Sequence, residues 1–90
     1  MALMKVIWGR HAGQRLSEWS RKRNITAQQV EAVVTSPEQI VAGHAGLQVA
    51  QSRMEHGLLR VPFFEVEGDR KIVTVYWTSR ITRYWRRNAN

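Results

Sequence analysis

The sequence contains no cysteine and no apolar segment long enough to cross a membrane. Without cysteine there is no disulfide framework, no thiolate nucleophile and no thiolate metal ligand, which fits the reducing cytoplasm. A transmembrane helix needs roughly 20 consecutive apolar residues, and no run here approaches that length. The first ten residues carry a lysine inside a short apolar run and have no small-residue cleavage site, so they do not indicate export. We therefore expect a cytoplasmic protein that does not enter a membrane.

Several sequence motifs that signal enzymes or cofactors are also missing. The chain has no P-loop, no Gly-x-Gly-x-x-Gly fingerprint and no nucleophilic-serine elbow. Its three histidines, His11, His44 and His56, are too far apart to form a closely spaced ligand pair. The sequence therefore predicts neither a metal nor a cofactor.

Acidic residues are absent after Asp69, although basic residues continue as far as Arg87. The net charge is +7 and the pI is about 11.1, so the protein is expected to attract polyanions through counterion release. Nucleic acid, an anionic membrane surface or an acidic protein would each suit this charge. A solvated, solubilising surface is the simpler interpretation. The basic residues concerned are Arg70, Lys71, Arg80, Arg83, Arg86 and Arg87.

The 90 residues are enough for a single domain, residues 1–90, with one core. A β-rich run at 4–8 predicts a first strand, and apolar spacing predicts a helix from about Arg10 to Arg23 that ends at a left-handed Asn24. Thr26 and Gln29 form a capping-box pattern that begins a second helix, which Pro37 ends. The short link between these helices predicts an αα-hairpin.

The remaining sequence predicts strands. Residues 39–42 and 47–53 read as short strands around a glycine-flanked turn, and residues 58–80 carry the strongest β signal. A Gly68-Asp69 turn would place Phe63 opposite Thr74 and Phe64 opposite Val73. Pro62 predicts a sheet edge or a bulge, and "ITRYWRR" predicts a final strand or an aromatic-packed tail. The fold class is therefore α+β, with an antiparallel sheet packed against the helical hairpin.

One helical stripe carries residues suited to metal-independent RNA cleavage. His11, Arg15 and Glu18 recur at helical spacing. A helix N-terminus favours a neutral imidazole and an anion, and an arginine one turn later could hold the same phosphate. RNA cleavage needs a base, an acid and fixed cations, but no metal. The competing interpretation is a solvated helix face on which Arg15 pairs with Glu18.

The C-terminal half offers further candidates for nucleic-acid binding. Thr74, Tyr76 and Thr78 share one face of a predicted strand, so the Tyr76 hydroxyl could contact a phosphate or its ring a base. A tyrosine that packs its ring and bonds to the backbone is the structural alternative. The segment "RYWRR" interleaves aromatic and basic residues, as single-strand-binding surfaces do, and equally suits aromatic closure of a core. Its candidate contacts are Arg80, Arg83, Tyr84, Trp85 and Arg86.

Three segments resemble the short bacterial domains catalogued as domain of unknown function 4258. They are His11-Ala12-x-x-Arg15, "NITAQQVEAVV" at 24–34 and "LLRVPFFEVEGDRKIVTVY" at 58–76, which together cover most of the chain. The resemblance implies a fold similar to the RelE and barnase-like metal-independent ribonucleases, many of which are toxins held by an antitoxin. It implies a candidate site of His11, Arg15, Thr74 and Tyr76, to which charge and strand position add Arg53 and Arg60. The segment "EWSRKRNI" is longer and more basic than that pattern, with Asn24 where glycine is usual.

Three functions are consistent with these patterns. The first is a metal-independent ribonuclease in which His11 acts as acid or base, Arg15 fixes the phosphate and Tyr76 orients the substrate. The second is a non-catalytic nucleic-acid-binding module that uses the basic, aromatic C-terminal residues. The third is an interaction domain for an acidic protein, such as an antitoxin-like chain. The role of residues 38–57 stays open.

Overall fold

A computed structural model describes residues 3–87, and its elements follow the α+β order that the sequence predicts. Within this range no helix is long and apolar enough to cross a membrane. In chain order, the elements are β1 (Val6–Trp8), α1 (Ala12–Arg23), α2 (Ala27–Thr35), β2 (Gln39–Ala42), β3 (Gln48–Met54), β4 (Gly57–Val66), β5 (Asp69–Ile72), β6 (Tyr76–Thr78) and α3 (Ile81–Tyr84).

The helical hairpin forms as its capping residues predict. Asn24 adopts a left-handed conformation, with φ 57°, and its N–H donates to the Ser20 carbonyl at 2.9 Å. Thr26 Oγ1 accepts from the Gln29 N–H at 3.1 Å, and Gln29 Oε1 accepts from the Thr26 N–H at 2.9 Å. The predicted αL cap, capping box and hairpin are therefore confirmed. Helix α1 begins at Ala12 rather than Arg10, because His11 occupies the N-cap position.

The sheet has the strand order β1-β5-β4-β3-β2, and β6 pairs with β4 beyond the end of β5. All pairs are antiparallel except β1 with β5. The predicted antiparallel sheet is thus confirmed apart from this pair. No hairpin joins β1 to β5, since the helices and three strands separate them in the chain, so the usual constraint toward antiparallel pairing is absent.

The turn between β4 and β5 differs from the predicted Gly68-Asp69 turn. The two turn residues are Glu67 and Gly68, with φ of 52° and 86°. A type I′ turn needs positive φ at both central positions, and glycine suits the second of them. The predicted pairs of Phe63 with Thr74 and Phe64 with Val73 are therefore wrong by two positions. The observed pairs are Phe63 with Ile72, Phe64 with Lys71, Glu65 with Arg70 and Val66 with Asp69.

The predicted strand after this turn is interrupted at residues 73–75. The interruption lies opposite Pro62, whose carbonyl accepts from the Val73 N–H at 2.9 Å but whose nitrogen cannot donate in return. Strand β4 is therefore central at Pro62, not an edge, and the irregular backbone belongs to its partner. Of the two alternatives for "ITRYWRR", the final strand is wrong, because residues 81–84 form α3. The Tyr84 ring packs against Tyr76 and Arg60, as the aromatic-packed tail predicts.

The helices pack on one face of the sheet, and the hydrophobic core lies between the helices and the sheet. Alternation along each strand points the remaining side chains to the opposite face, which we call the open face. The open face includes Val49 and Gln51 of β3 and Arg60, Pro62 and Phe64 of β4. The helices contribute Ala12, Val30, Val33 and Val34 to the core, and the strands contribute Ala50, Leu59, Val61, Phe63 and Ile72. Trp8, Trp19 and Trp77 are partly buried against it.

Candidate functional site

A row of four polar side chains crosses the open face of the sheet. Gln39, Gln51, Arg60 and Tyr76 lie side by side, because the strand registers pair each one with the next across β2, β3, β4 and β6. The first three are buried and Tyr76 is half-buried. We call these four residues the polar row. Buried polar groups need hydrogen-bond partners, and the row and the chain end supply them.

The polar row holds the C-terminal segment, residues 81–87, against the open face. Gln51 Nε2 donates to Gln39 Oε1 at 2.9 Å and to the Tyr84 carbonyl at 3.0 Å. Gln39 Oε1 also accepts from the Arg86 N–H at 3.2 Å, while Gln39 Nε2 donates to the Arg86 carbonyl. The C-terminal segment therefore covers the part of the open face at which the row lies.

Arg60 is the charged member of the polar row, and its side chain has only neutral partners. It is 6 % exposed. Its Nε donates to Gln51 Oε1 at 2.8 Å, its Nη1 donates to the Tyr76 hydroxyl, and its Cζ lies 3.9 Å from the Tyr84 ring centroid. The ion pairs among residues 3–87 are Arg15 with Glu18 and Arg53 with Glu38. No carboxylate of the described residues neutralises Arg60.

The second terminal nitrogen of Arg60, Nη2, has no protein acceptor among residues 3–87. A guanidinium carries five N–H donors, and the two bonds described above use only two of them. Within residues 3–87, no acceptor takes the remaining three donors.

Arg60 lines a cavity of about 500 Å³ on the open face. This volume lies within the range of sites for small organic ligands, roughly 300–1,000 Å³. None of the seven acidic residues, all of which lie within residues 3–87, lines the cavity, whereas two arginines do. We call it the Arg60 cavity. Its walls are Ala42, Gly43, His44, Leu47, Val49, Arg60, Pro62, Thr74, Tyr76, Arg83 and Tyr84.

Burial raises the pKa of the Tyr76 phenol above its ordinary value, although the positive charge of Arg60 opposes this effect. The phenol is therefore uncharged at neutral pH. Its oxygen accepts from Arg60, and its interaction with the Tyr84 side chain raises the pKa of the phenol further. The cavity thus presents cationic and hydroxyl donors with no anionic wall, an arrangement that favours an anion.

The structure brings together four of the predicted site residues. Arg60, Thr74, Tyr76 and Arg83 all line the Arg60 cavity. Thr74 and Tyr76 point to the same side, as their alternation in the sequence predicts, while Val75 between them is buried in the core. The Tyr76 hydroxyl has a side-chain partner, Arg60, rather than a backbone one.

His11 and Arg15 lie elsewhere. His11 is an exposed N-cap residue without a side-chain cap bond, and Arg15 Nη1 donates to Glu18 at 2.9 Å on the exposed side of α1. Neither residue lines the Arg60 cavity, and α1 belongs to the helical layer on the other side of the sheet. The structure therefore does not assemble His11 and Arg15 with Tyr76 into one site.

Arg53, Trp85 and Arg80 also lie outside the cavity wall. Arg53 is exposed, pairs with Glu38 at 2.9 Å and places its Cζ 5.0 Å from the Trp85 ring centroid. Hydrogen bonds from the Arg53 side chain and backbone lower the pKa of the Glu38 carboxyl. Arg80 is exposed and precedes α3. Among these three residues, Arg80 and Trp85 flank α3, and Arg53 reaches Trp85 from β3.

Sequence patterns missed three residues of this region: Gln39, Gln51 and His44. Gln51 had a usable signal, because alternation places it on the same side of its strand as Val49, and a glutamine there predicts a hydrogen-bonded network. Gln39 could be recognised only from the strand register and the position of the C-terminal segment. His44 lies in a short 3₁₀ turn with no signal in the pattern.

Comparisons with family models, with curated proteins and with solved structures find no match to this chain. The fold and site therefore define the protein as an α+β protein with a basic cavity on the open face of its sheet. The resemblance to the domain of unknown function 4258 stays a prediction.

Proposed function

We propose that this protein binds single-stranded RNA and holds one phosphate of the chain in the Arg60 cavity. The observation that carries the proposal is the buried Arg60, which is 6 % exposed, has no carboxylate partner among residues 3–87 and lines the cavity. Burying a charge without a counter-charge costs several kcal/mol. A phosphate in the cavity would offset that cost, because its oxygens match the planar arginine donors.

The surroundings of the cavity favour RNA over a small inorganic anion. Cavity walls include the aromatic rings of Tyr76 and Tyr84 beside Arg60 and Arg83, the combination by which proteins stack bases and neutralise their backbone. The charge of +7 extends the attraction to further phosphates. RNA is the abundant single-stranded nucleic acid of the cytoplasm, in which the proposal places this chain.

A fluorescently labelled 12-nucleotide single-stranded RNA tests the proposal by anisotropy titration of the full chain. The predicted result is saturable binding that weakens about twentyfold between 50 and 200 mM salt, as expected if about three phosphates are neutralised at a slope near −0.7 each. Binding that is absent or indifferent to salt would contradict it. Poly-glutamate serves as a competitor that represents an acidic protein. If it displaces the labelled RNA as effectively as unlabelled RNA does, RNA is not the preferred ligand.

RNA cleavage is the second candidate function, and the presence of His44 and Tyr76 in one cavity favours it. One group would remove the proton of the 2′-hydroxyl as its oxygen attacks phosphorus. The other would protonate the 5′-oxygen as its bond to phosphorus breaks, and the arginines would stabilise the charge. Incubation of the protein with the labelled 12-nucleotide RNA in metal-free buffer, followed by gel electrophoresis, tests for cleavage. Products that disappear with His44→Ala and persist with both His56→Ala and His11→Ala would establish it at this cavity.

A further inference from the structure

We infer that the RNA site continues from the Arg60 cavity along β4 to Phe64, whose ring stacks a neighbouring base, with Lys71 contacting a phosphate beside it. This inference rests on the proposed function. It adds a second contact region, which neither the sequence patterns nor the cavity identifies, and a direction for the bound strand.

Phe64 lies on the same face as the cavity. Its neighbour Phe63 is fully buried in the core on the helix side, so alternation turns Phe64 to the open face. Pro62, two residues before it, lines the cavity. Four residues separate Phe64 from Arg60, a distance of about 13 Å along a strand that rises about 3.3 Å per residue. A few nucleotides of extended RNA span such a distance.

The Phe64 ring is accessible, although β4 is a central strand. It is 39 % exposed, as is Val66 two residues further along the same face of β4, and Ile7 of β1 lies beyond Lys71. The C-terminal segment covers the polar row instead, through its contacts with Gln39 and Gln51. The C-terminal segment thus covers the open face at the polar row, while the Phe64 ring, four positions along β4 from Arg60, is exposed.

Positive charge beside this ring favours RNA as its occupant. Lys71 is the register partner of Phe64, and its Nζ lies 5.8 Å from the ring centroid. A base can stack on the ring while its backbone phosphate reaches the ammonium, as at other single-strand-binding surfaces. Pro62 lies between the cavity and Phe64 on the same face of β4. One RNA strand could therefore contact both Arg60 in the cavity and Lys71 beside Phe64. A purely apolar protein partner would not use the lysine.

Ligands of two lengths distinguish binding in the cavity from binding along the proposed path on β4. Adenosine 5′-monophosphate can occupy the cavity alone, whereas an adenylate tetranucleotide can also reach Phe64. Calorimetric titration of the wild type should show tighter binding of the tetranucleotide. Phe64→Leu should weaken tetranucleotide binding by about 5- to 150-fold, the range for loss of one stacked base, and leave binding of the mononucleotide unchanged. Phe64→Tyr, which keeps an aromatic face, should restore the wild-type affinity.

The outcomes distinguish this inference from the proposed function. If the wild type binds neither ligand, the proposed function fails and the inference with it. If the tetranucleotide binds wild type and Phe64→Leu equally, the cavity proposal stands and the path along β4 is wrong. Sedimentation analysis adds a third outcome, since self-association of the wild type that Phe64→Leu abolishes, with unchanged RNA affinity, would assign this face to a second copy of the chain.

Discussion

Arg60→Met is expected to weaken RNA binding by about 10- to 150-fold, the loss that corresponds to roughly 1.5–3 kcal/mol for hydrogen bonds to a charged group. Methionine retains an unbranched side chain able to fill the buried position but has no donor for the phosphate. Lysine at the same position keeps the charge without the planar pair of donors. The RNA affinity of Arg60→Lys should therefore lie between that of the wild type and that of Arg60→Met. Anisotropy titrations at one salt concentration measure all three proteins.

The stability of Arg60→Met separates a binding residue from a structural one. The substitution removes a buried charge, which favours the folded state, but leaves Gln51 Oε1 and the Tyr76 hydroxyl without a donor, which costs about 1–3 kcal/mol for each unsatisfied group. These effects oppose each other, so we expect the free energy of unfolding to change by about 2 kcal/mol or less. A purely structural Arg60 would instead give a large loss of stability with unchanged affinity.

Arg21→Met is the matched control for this experiment. Arg21 is exposed in the last turn of α1, on the helical layer, and its replacement removes the same charge from the whole protein. We expect its effect on affinity to be within about twofold, because exposed charges far from a ligand are largely screened by salt. Equal losses at Arg60 and Arg21 would mean that net charge alone attracts the RNA.

Gly57→Ala is expected to destabilise the fold by about 3 kcal/mol, near the upper end of the usual cost of overpacking. A Cβ at Gly57 would lie 2.3 Å from the Thr78 carbonyl oxygen and 2.4 Å from a ring carbon of Trp77. The ring cannot easily yield, because its Nε1 donates to the Met54 carbonyl at 2.9 Å and Arg23 stacks on it at 3.6 Å. Strand β6 must move instead.

Urea unfolding of the Gly57→Ala protein measures this cost, with Gly13→Ala as the control. Gly13 lies in α1, and a Cβ there meets nothing within 4 Å, so alanine should stabilise the helix by about 0.5–1 kcal/mol. Opposite signs at the two glycines are the predicted outcome. A free energy of unfolding for Gly57→Ala within about 0.5 kcal/mol of the wild type would contradict the tight packing of β4 against β6.

The parts of the fold that the sequence predicts correctly depend on short-range rules. The Thr26 and Gln29 capping box and the left-handed Asn24 cap form between residues close in the chain, and so does the strand over residues 39–42. The turn at Glu67 and Gly68 shows where such rules fail. Two adjacent pairs of residues could form the turn, and the choice between them shifts the strand register by two positions.

The candidate site depends on contacts between distant parts of the chain, and the sequence predicts only some of its residues. Helical spacing correctly groups His11 with Arg15 on one face, but it cannot show that the sheet separates α1 from Tyr76. Charge and strand position select Arg60. The neutral partners that bury Arg60 come from β3, β6 and the C-terminal segment. They can be identified only from the pairing of the strands and the position of the C-terminal segment in the structure.

A phosphate of the RNA is expected to bind the Arg60 guanidinium. Nitrogen NMR of the arginine side chains tests it directly, because the buried Nε–H of Arg60 donates to Gln51 and should exchange slowly enough to give its own signal. Its absence from the Arg60→Met spectrum assigns that signal. On titration with the 12-nucleotide RNA, the Arg60 signal is predicted to shift progressively and saturate, while that of Arg21 stays unchanged. Saturable RNA binding that moves the signals of exposed arginines and leaves the Arg60 signal in place would contradict this expectation.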